Sequence, residues 1–172
     1  MSKTSKAEFQ NLNIGYFDSP LGLIELKTQN DCLIGLRFVD KKSKKVDQVG
    51  SFQLEVCQQL KAYFNLQLQC FSLNMYAKGT PFQQKVWAFV KNTRYNTTVS
   101  YQYVANEMKI PSSTRAIASA IGKNPILIVI PCHRIIGSDG SLKGYSAGIR
   151  IKAKLIDMEN KKFFFSLPLN NL

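Results

Sequence analysis

Three short apolar-rich runs near the start of the chain, Leu12 to Phe17, Gly22 to Thr28 and Cys32 to Val39, have the length and patterning of strands. The turn-forming groups Asp18-Ser19-Pro20 and Gln29-Asn30-Asp31 separate them at a spacing that suits an antiparallel meander. The first nine residues carry no such pattern and are expected to fray. From Ser51 to Phe64 the pattern changes. Phe52, Leu54, Val56, Cys57, Leu60 and Phe64 recur at near-helical intervals, which predicts a helix covering the sheet and places Cys57 in the core. Leu66 to Leu73 alternates apolar and polar residues, and the polar Asn74 to Gly79 leads into a more basic region. A boundary at this connection divides the chain into an N-terminal α/β domain, 1–74, and a C-terminal domain, 75–172.

The second region opens on a helix start. Thr80-Pro81-Phe82-Gln83 combines an N-cap, a proline at the first helical position and a glutamine able to close a capping box. The helix is expected to reach about Lys91 with Phe82, Val86, Trp87 and Val90 inward, and the only tryptophan reads as a core anchor rather than a base-stacking residue. Two short helical patterns follow, Tyr101 to Met108 and Ser113 to Ile121, joined by the breaker Lys109-Ile110-Pro111-Ser112. Their length and close connection suggest a helix-turn-helix. Ala116, Ile117, Ala120 and Ile121 on the second of these helices suit close approach to a DNA groove, although alanine is also simply the best helix former. Beyond Asn124-Pro125, Ile126 to Ile130 reads as a buried extended run, and a last helix is expected over about Ile149 to Asn160 with Ile151, Leu155 and Met158 on one face. Glu159 then sits near a helix C-terminus, where the dipole disfavours a carboxylate unless a cation holds it.

Composition changes this picture little: of 172 residues 45% are hydrophobic and 20% charged, as in ordinary globular proteins. No run approaches the length of a membrane span, and the N-terminus lacks the apolar core of a signal peptide, so a cytoplasmic location without membrane contact is expected. Cys32, Cys57, Cys70 and Cys132 are scattered without a C-x-x-C pair, which points to reduced thiols and no zinc ribbon. Charge is more informative. Residues 1–74 carry nine Lys or Arg against seven Asp or Glu, a balance of +2, whereas residues 75–172 carry fourteen against four, a balance of +10. Such a field serves either a solvated surface or a polyanionic partner such as DNA or RNA. The cluster Lys41 to Lys45 reads as a solvated loop.

Candidate chemistry lies at Pro131-Cys132-His133-Arg134-Ile135, where the only histidine directly follows a cysteine. A thiol needs a base or a positive field to become a nucleophile, and His133 and Arg134 are the local candidates. Neighbours on an extended strand face opposite ways, so Cys132 and His133 can cooperate only if the chain turns there, as Pro131 allows. His133 is also the obvious cation for Glu159.

The segments Gly79 to Trp87, Thr98 to Tyr101, Arg115-Ala116, Asn124-Pro125, Ile130 to Ile135 and Gly144 to Gly148 closely resemble, in order and spacing, those of the O6-alkylguanine-DNA alkyltransferases. The resemblance is dense over 79–160 and loose before it. It implies a largely structural, ribonuclease-H-like N-terminal domain with an antiparallel sheet, and a mainly helical C-terminal domain that repairs O6-methylguanine or O4-methylthymine in double-stranded DNA. Cys132 would accept the alkyl group irreversibly. Glu159 would orient His133, which takes the thiol proton through a water, and Asn124 would secure the active-site turn. Tyr101 would meet the guanine ring nitrogen. The carbonyls of Cys132 and Ile135 would receive the exocyclic amine, the Ser146 amide would face the leaving oxygen, and Tyr145 belongs to the same base-binding set. Arg115 would fill the place of the flipped base, with Ala116 and Ala120 allowing approach to the minor groove. No cofactor, no metal and a monomer are implied.

Three departures from the family pattern stand out. Ala147-Gly148 replaces the common Gly-Gly, which predicts a tighter pocket that takes methyl more readily than benzyl; the N-terminal domain has no histidine for the zinc that some members carry there; and Tyr95-Asn96-Thr97-Thr98 replaces a turn that commonly contains Gly and an acidic residue. The competing readings are a helix-turn-helix or alkyltransferase-like DNA binder without transfer activity, and a cysteine hydrolase. The binder leaves Cys132, His133 and Glu159 unemployed, and the hydrolase leaves the basic half unexplained.

Overall fold

The hairpin turns set the first sheet. In the computed structural model, which describes residues 12–41 and 50–165, strands β1 (Leu12–Ser19), β2 (Gly22–Gln29) and β3 (Cys32–Phe38) form an antiparallel meander in the order β1-β2-β3. Asn30 and Asp31 both take left-handed backbone angles, φ 49° and 52°, which is the geometry of a tight two-residue hairpin and one that Asn and Asp tolerate best among side-chain-bearing residues. Helix α1 (Ser51–Phe64) covers the sheet with Val56 and Leu60, and Phe64 stacks on Phe17 at 6.1 Å. Cys57 packs against the core while keeping partial exposure. The expected frayed start, most of the lysine cluster and the tail beyond 165 lie outside the described residues.

Two segments depart from the sequence pattern. Leu66 to Leu73 forms no strand despite its alternation; the amide and carbonyl of Ser72 are taken instead by the Gln59 side chain, at 2.9 and 2.8 Å. The outer edge of β3, which such a strand would need, is already closed elsewhere. Leu33 exchanges backbone bonds with Asn74 and Tyr76, and Leu36 with Pro125 and Leu127. Ile126 to Ile130 is fully buried as expected, but it is wound rather than extended. After its bridge to Leu36 the chain reverses, the Ile130 amide donates to the Ile126 carbonyl at 3.1 Å, and Ile128 takes φ 70°.

Helices α2 (Pro81–Lys91), α3 (Tyr101–Glu107) and α4 (Thr114–Gly122) build the second region. Thr80 caps α2 in the expected reciprocal box, with Thr80 Oγ1 accepting from the Gln83 amide and Gln83 Oε1 from the Thr80 amide. Trp87 is buried and donates its indole N–H to the Ala120 carbonyl at 2.8 Å, locking α2 to α4. A short turn at Pro111–Ser113 separates α3 from α4 in a helix-turn-helix. The two-residue parallel pair of β4 (Val99–Ser100) and β5 (Ile135–Ile136) was not foreseen, being too short to carry a period. Helix α5 (Ile149–Phe165) closes the fold. Among the described residues no helix is long and apolar enough to cross a membrane.

Candidate active site

One amide side chain shapes the turn that carries the thiol. Asn124, just beyond α4, donates through Nδ2 to the Ile130 carbonyl at 2.9 Å and to Cys132 Sγ at 3.1 Å, while its Oδ1 accepts the Ile126 amide at 3.0 Å. Both ends of the 124–132 segment are thereby tied to one buried group. Ile128 holds a left-handed conformation that β-branched residues strongly disfavour, so the turn stores backbone strain next to the thiol. Cys132, His133 and Arg134 form a single 3-10 turn, which supplies the change of direction that cooperation between Cys132 and His133 requires. All three are buried.

Glu159 of α5 organises what lies behind that turn. Its Oε1 accepts from His133 Nε2 at 3.0 Å, Arg134 at 2.8 Å and the Tyr63 hydroxyl at 2.7 Å; its Oε2 accepts from Arg134 Nε at 3.0 Å and the Asn96 amide at 3.2 Å. Burial raises the Glu159 pKa, but His133 and Arg134 outweigh it and hold the carboxyl at about 2. An ionised carboxylate only accepts, so His133 Nε2 carries the proton in this contact and Nδ1 keeps its lone pair. Nδ1 is buried and has no hydrogen-bond partner among the described residues.

The expected position of Glu159 near a helix end is corrected: α5 runs on to Phe165, so its dipole does not explain the carboxylate, and the five donors do. The inward face of α5 is also rotated from the expected one. Lys152, Leu155 and Glu159 are buried, whereas Ile151 and Met158 are only partly so, because both ionisable groups find partners inside.

Arg134 is not the cation beside the thiol. It forks onto Glu159 through Nε and Nη2 and donates from Nη1 to the Thr93 carbonyl at 2.6 Å. The positive field at Cys132 comes from Lys152, which the sequence reading missed. Its ammonium is buried, donates to the Ile135 and Lys143 carbonyls at 2.5 and 2.6 Å, and lies 5.7 Å from the centre of the Tyr101 ring. Burial lowers Lys152 to about 8. The helical spacing of Lys152, Leu155 and Glu159 was the available signal. Tyr63, on the far side of the expected domain boundary, gave none.

Burial pushes the Cys132 thiol up to about 11, against the opposing pull of the Asn124 hydrogen bond and the Lys152 charge. Burial likewise pushes His133 down, although Glu159 pulls it up. The resting pair is thus a neutral thiol and a neutral imidazole. Alkylation of Cys132 by iodoacetamide should therefore rise about tenfold per pH unit through neutral pH and beyond, without a plateau below about pH 9. The rate profile, read by mass spectrometry on the Cys132 peptide, checks this; an early plateau would mean a thiolate at rest.

The remaining predicted residues divide between the interior and the surface. The Tyr101 hydroxyl donates to the Lys143 carbonyl at 3.0 Å, so the start of α3 holds the 143–148 loop. Tyr145 is buried with its ring edge-on to His133, 6.5 Å between centroids, and its hydroxyl has no hydrogen-bond partner among the described residues. Ser146 is exposed, and Ile135 is buried in β5 with its carbonyl taken by Lys152. Arg115 and Ala116 are exposed on α4, with Ser119, Gly122 and Lys123 on the same outer surface. Ala120 is corrected: it faces the core at 3% exposure, since the inward stripe of α4 is Ile117, Ala120 and Ile121. Asn96 takes φ 56° in the variant turn before β4, an angle asparagine tolerates, and its amide still reaches Glu159.

Comparisons with known proteins agree over most of the chain. Residues 12–76 match the model of the 6-O-methylguanine DNA methyltransferase ribonuclease-like domain, and residues 81–161 that of the 6-O-methylguanine DNA methyltransferase DNA binding domain. The methylated-DNA–protein-cysteine methyltransferase of Methanosarcina acetivorans is 37% identical over 151 residues, covering 83% of this chain and 95% of its own. A crystal structure of the Mycobacterium tuberculosis O6-methylguanine methyltransferase superposes with a TM-score of 0.81 at 33% identity, covering 93% of this chain and 97% of that one. The structure of Mycobacterium tuberculosis OGT in complex with DNA gives 0.78 at 36% identity, covering 86% of this chain and 93% of that one.

Proposed function

This chain belongs to the methylated-DNA–protein-cysteine methyltransferase family, and from that premise we propose that it repairs double-stranded DNA by moving the alkyl group of O6-alkylguanine, and of O4-methylthymine, onto Cys132. The observation that carries this reading is the buried line from Glu159 through His133 to an unpartnered Nδ1 in the same tight turn as Cys132. The thiol proton passes to Nδ1 through a water. Sγ then bonds the alkyl carbon as the carbon–oxygen bond breaks; the base leaves as an anion and takes up a proton at its ring nitrogen, balancing the one His133 accepted, so that a thioether stays on the protein and the restored base in DNA. A thioether offers water or thiols no acyl carbon or disulfide sulfur to attack, so each molecule acts once and needs no cofactor.

The attacked carbon is attached to a base inside the duplex stack, so the nucleotide must first be flipped out. Helix α4 lies in the minor groove, where the small outward side chain of Ala116 permits close approach and Arg115 enters the vacated place. Tyr101 exchanges its bond to Lys143 for the base ring nitrogen. The Cys132 and Ile135 carbonyls receive the exocyclic amine, Ile135 through its second lone pair, and the Ser146 amide and Tyr145 complete the base site. Residues 1–74 and 75–172 act as two domains of one monomer. The deciding experiment incubates the protein with DNA bearing labelled O6-methylguanine. Label should move to the Cys132 peptide and stop at one equivalent. Binding without transfer would favour the non-catalytic alternative, and product beyond one equivalent would exclude single use.

Arg115→Ala should slow repair in duplex DNA by about tenfold or more, the effect of losing some 1.4 kcal/mol of compensation for unstacking. Reaction with free O6-methylguanine base should be almost unchanged, because nothing has to be flipped. Single-turnover rates on the two substrates check this, and equal losses would point to a folding defect.

A further inference from the structure

Tyr63 and Glu159 are 96 residues apart in the chain, yet a 2.7 Å hydrogen bond joins them. Tyr63 is fully buried at the end of α1, and its ring is fixed by Phe71 at 5.4 Å and by the ring edges of Phe64 at 5.4 Å and Tyr95 at 6.3 Å. The hydroxyl therefore has little freedom. It donates to Oε1, the carboxylate oxygen that also faces His133. Arg134 already fixes the carboxylate plane by bonding both oxygens, so Tyr63 and His133 share what Oε1 has left to offer. An oxygen has limited lone-pair density, and each added donor draws on the charge the others feel. A second tie runs in the same direction: β3 of the N-terminal sheet bonds Pro125 and Leu127, on the approach to Cys132.

We infer that Tyr63 is a positioning residue for alkyl transfer, its hydroxyl holding Glu159 Oε1 in place and tempering the charge that His133 meets. The inference rests on the proposed transfer to Cys132 and adds to it: the N-terminal region contributes a group to the proton path, and is more than a structural support. With the hydroxyl gone, Oε1 offers more charge to the imidazole and the basicity of His133 rises.

The test uses Tyr63→Phe in the full chain, which keeps the ring and removes only the hydroxyl. His133 is the only histidine, so its NMR titration is unambiguous. Its pKa should rise by about half a unit to one unit, and the acid limb of the pH–rate profile for methyl transfer should move up by the same amount, slowing transfer on that limb about three- to tenfold. A purely structural role would move neither. Leu60→Val, one turn earlier in the core face of α1, should lower stability and leave both readouts unchanged. Incorporation of 3-fluorotyrosine at position 63, which is nearly isosteric and a stronger donor, should shift His133 in the opposite direction. An unchanged or lowered His133 pKa in Tyr63→Phe, or no response to fluorination, overturns the inference. If the unaltered protein transfers no methyl group, the proposed function fails, while the His133 titration still decides the role of Tyr63.

Discussion

Cys132→Ala should carry no label from methylated DNA, a fall of roughly 10⁴-fold or more, while binding DNA with the same affinity and salt dependence. The acceptor sulfur is lost and no other cysteine has comparable surroundings. Cys32 and Cys57 are half-buried thiols raised by burial, and Cys70, although it lines a surface pocket with Pro131 and Arg134, is exposed and lacks the buried setting of Cys132. The change should be gentle to the fold, because Asn124 Nδ2 keeps the Ile130 carbonyl and Oδ1 keeps the Ile126 amide. The basic surface and Arg115 are untouched, so phosphate contacts persist. Electrophoretic shift at several salt concentrations, alongside label transfer, checks both halves. Transfer surviving on another cysteine would sink the assignment.

Glu159→Gln should have the largest effect on stability, about 3 to 5 kcal/mol, the usual cost of leaving one member of a buried ion pair without its partner. Glutamine keeps the shape, but Arg134 becomes a buried cation with no counter-charge, and the new amide hydrogens meet donors already present on Tyr63, His133 and Asn96. The same pair governs acid behaviour. Glu159 has a folded pKa of about 2 against an ordinary 4.5, so its contribution is complete above 4.5 and is lost as pH falls towards 2. Linkage makes that contribution about 3 kcal/mol. His133 works in the same direction at higher pH: its folded pKa is lowered from 6.5 by burial, so the folded state resists a proton that the unfolded chain accepts, and stability declines as pH falls below that value. Glu159→Gln should therefore abolish the limb between 4.5 and 2 and, with the carboxylate's pull on the imidazole gone, lower the His133 pKa further and deepen the limb it sets. Urea denaturation at a series of pH values, followed by the fluorescence of Trp87, resolves the two limbs; parallel curves for both proteins would rule out this account.

The features legible in the residues alone were local. The Asn30-Asp31 hairpin, the Thr80-Gln83 capping box and the inward stripe of α2 depend on contacts within one or two turns of chain, and the pattern of residues states such contacts directly. The adjacency of Cys132 and His133 was visible in the same way. Tertiary structure decided everything that needed a partner from elsewhere. Leu66 to Leu73 had the alternation of a strand but no free edge to join, since Asn74 to Tyr76 and Pro125 to Leu127 already closed β3. Helix α5 turned Lys152 and Glu159 inward in place of Ile151 and Met158, because carbonyls of the 135 and 143 positions and the donors of Tyr63, His133 and Arg134 were there to receive them. A buried charge is tolerated only where such partners converge, and those partners come from segments up to 96 residues away. Periodicity along a chain records which positions face inward together, and it holds no record of what meets them there.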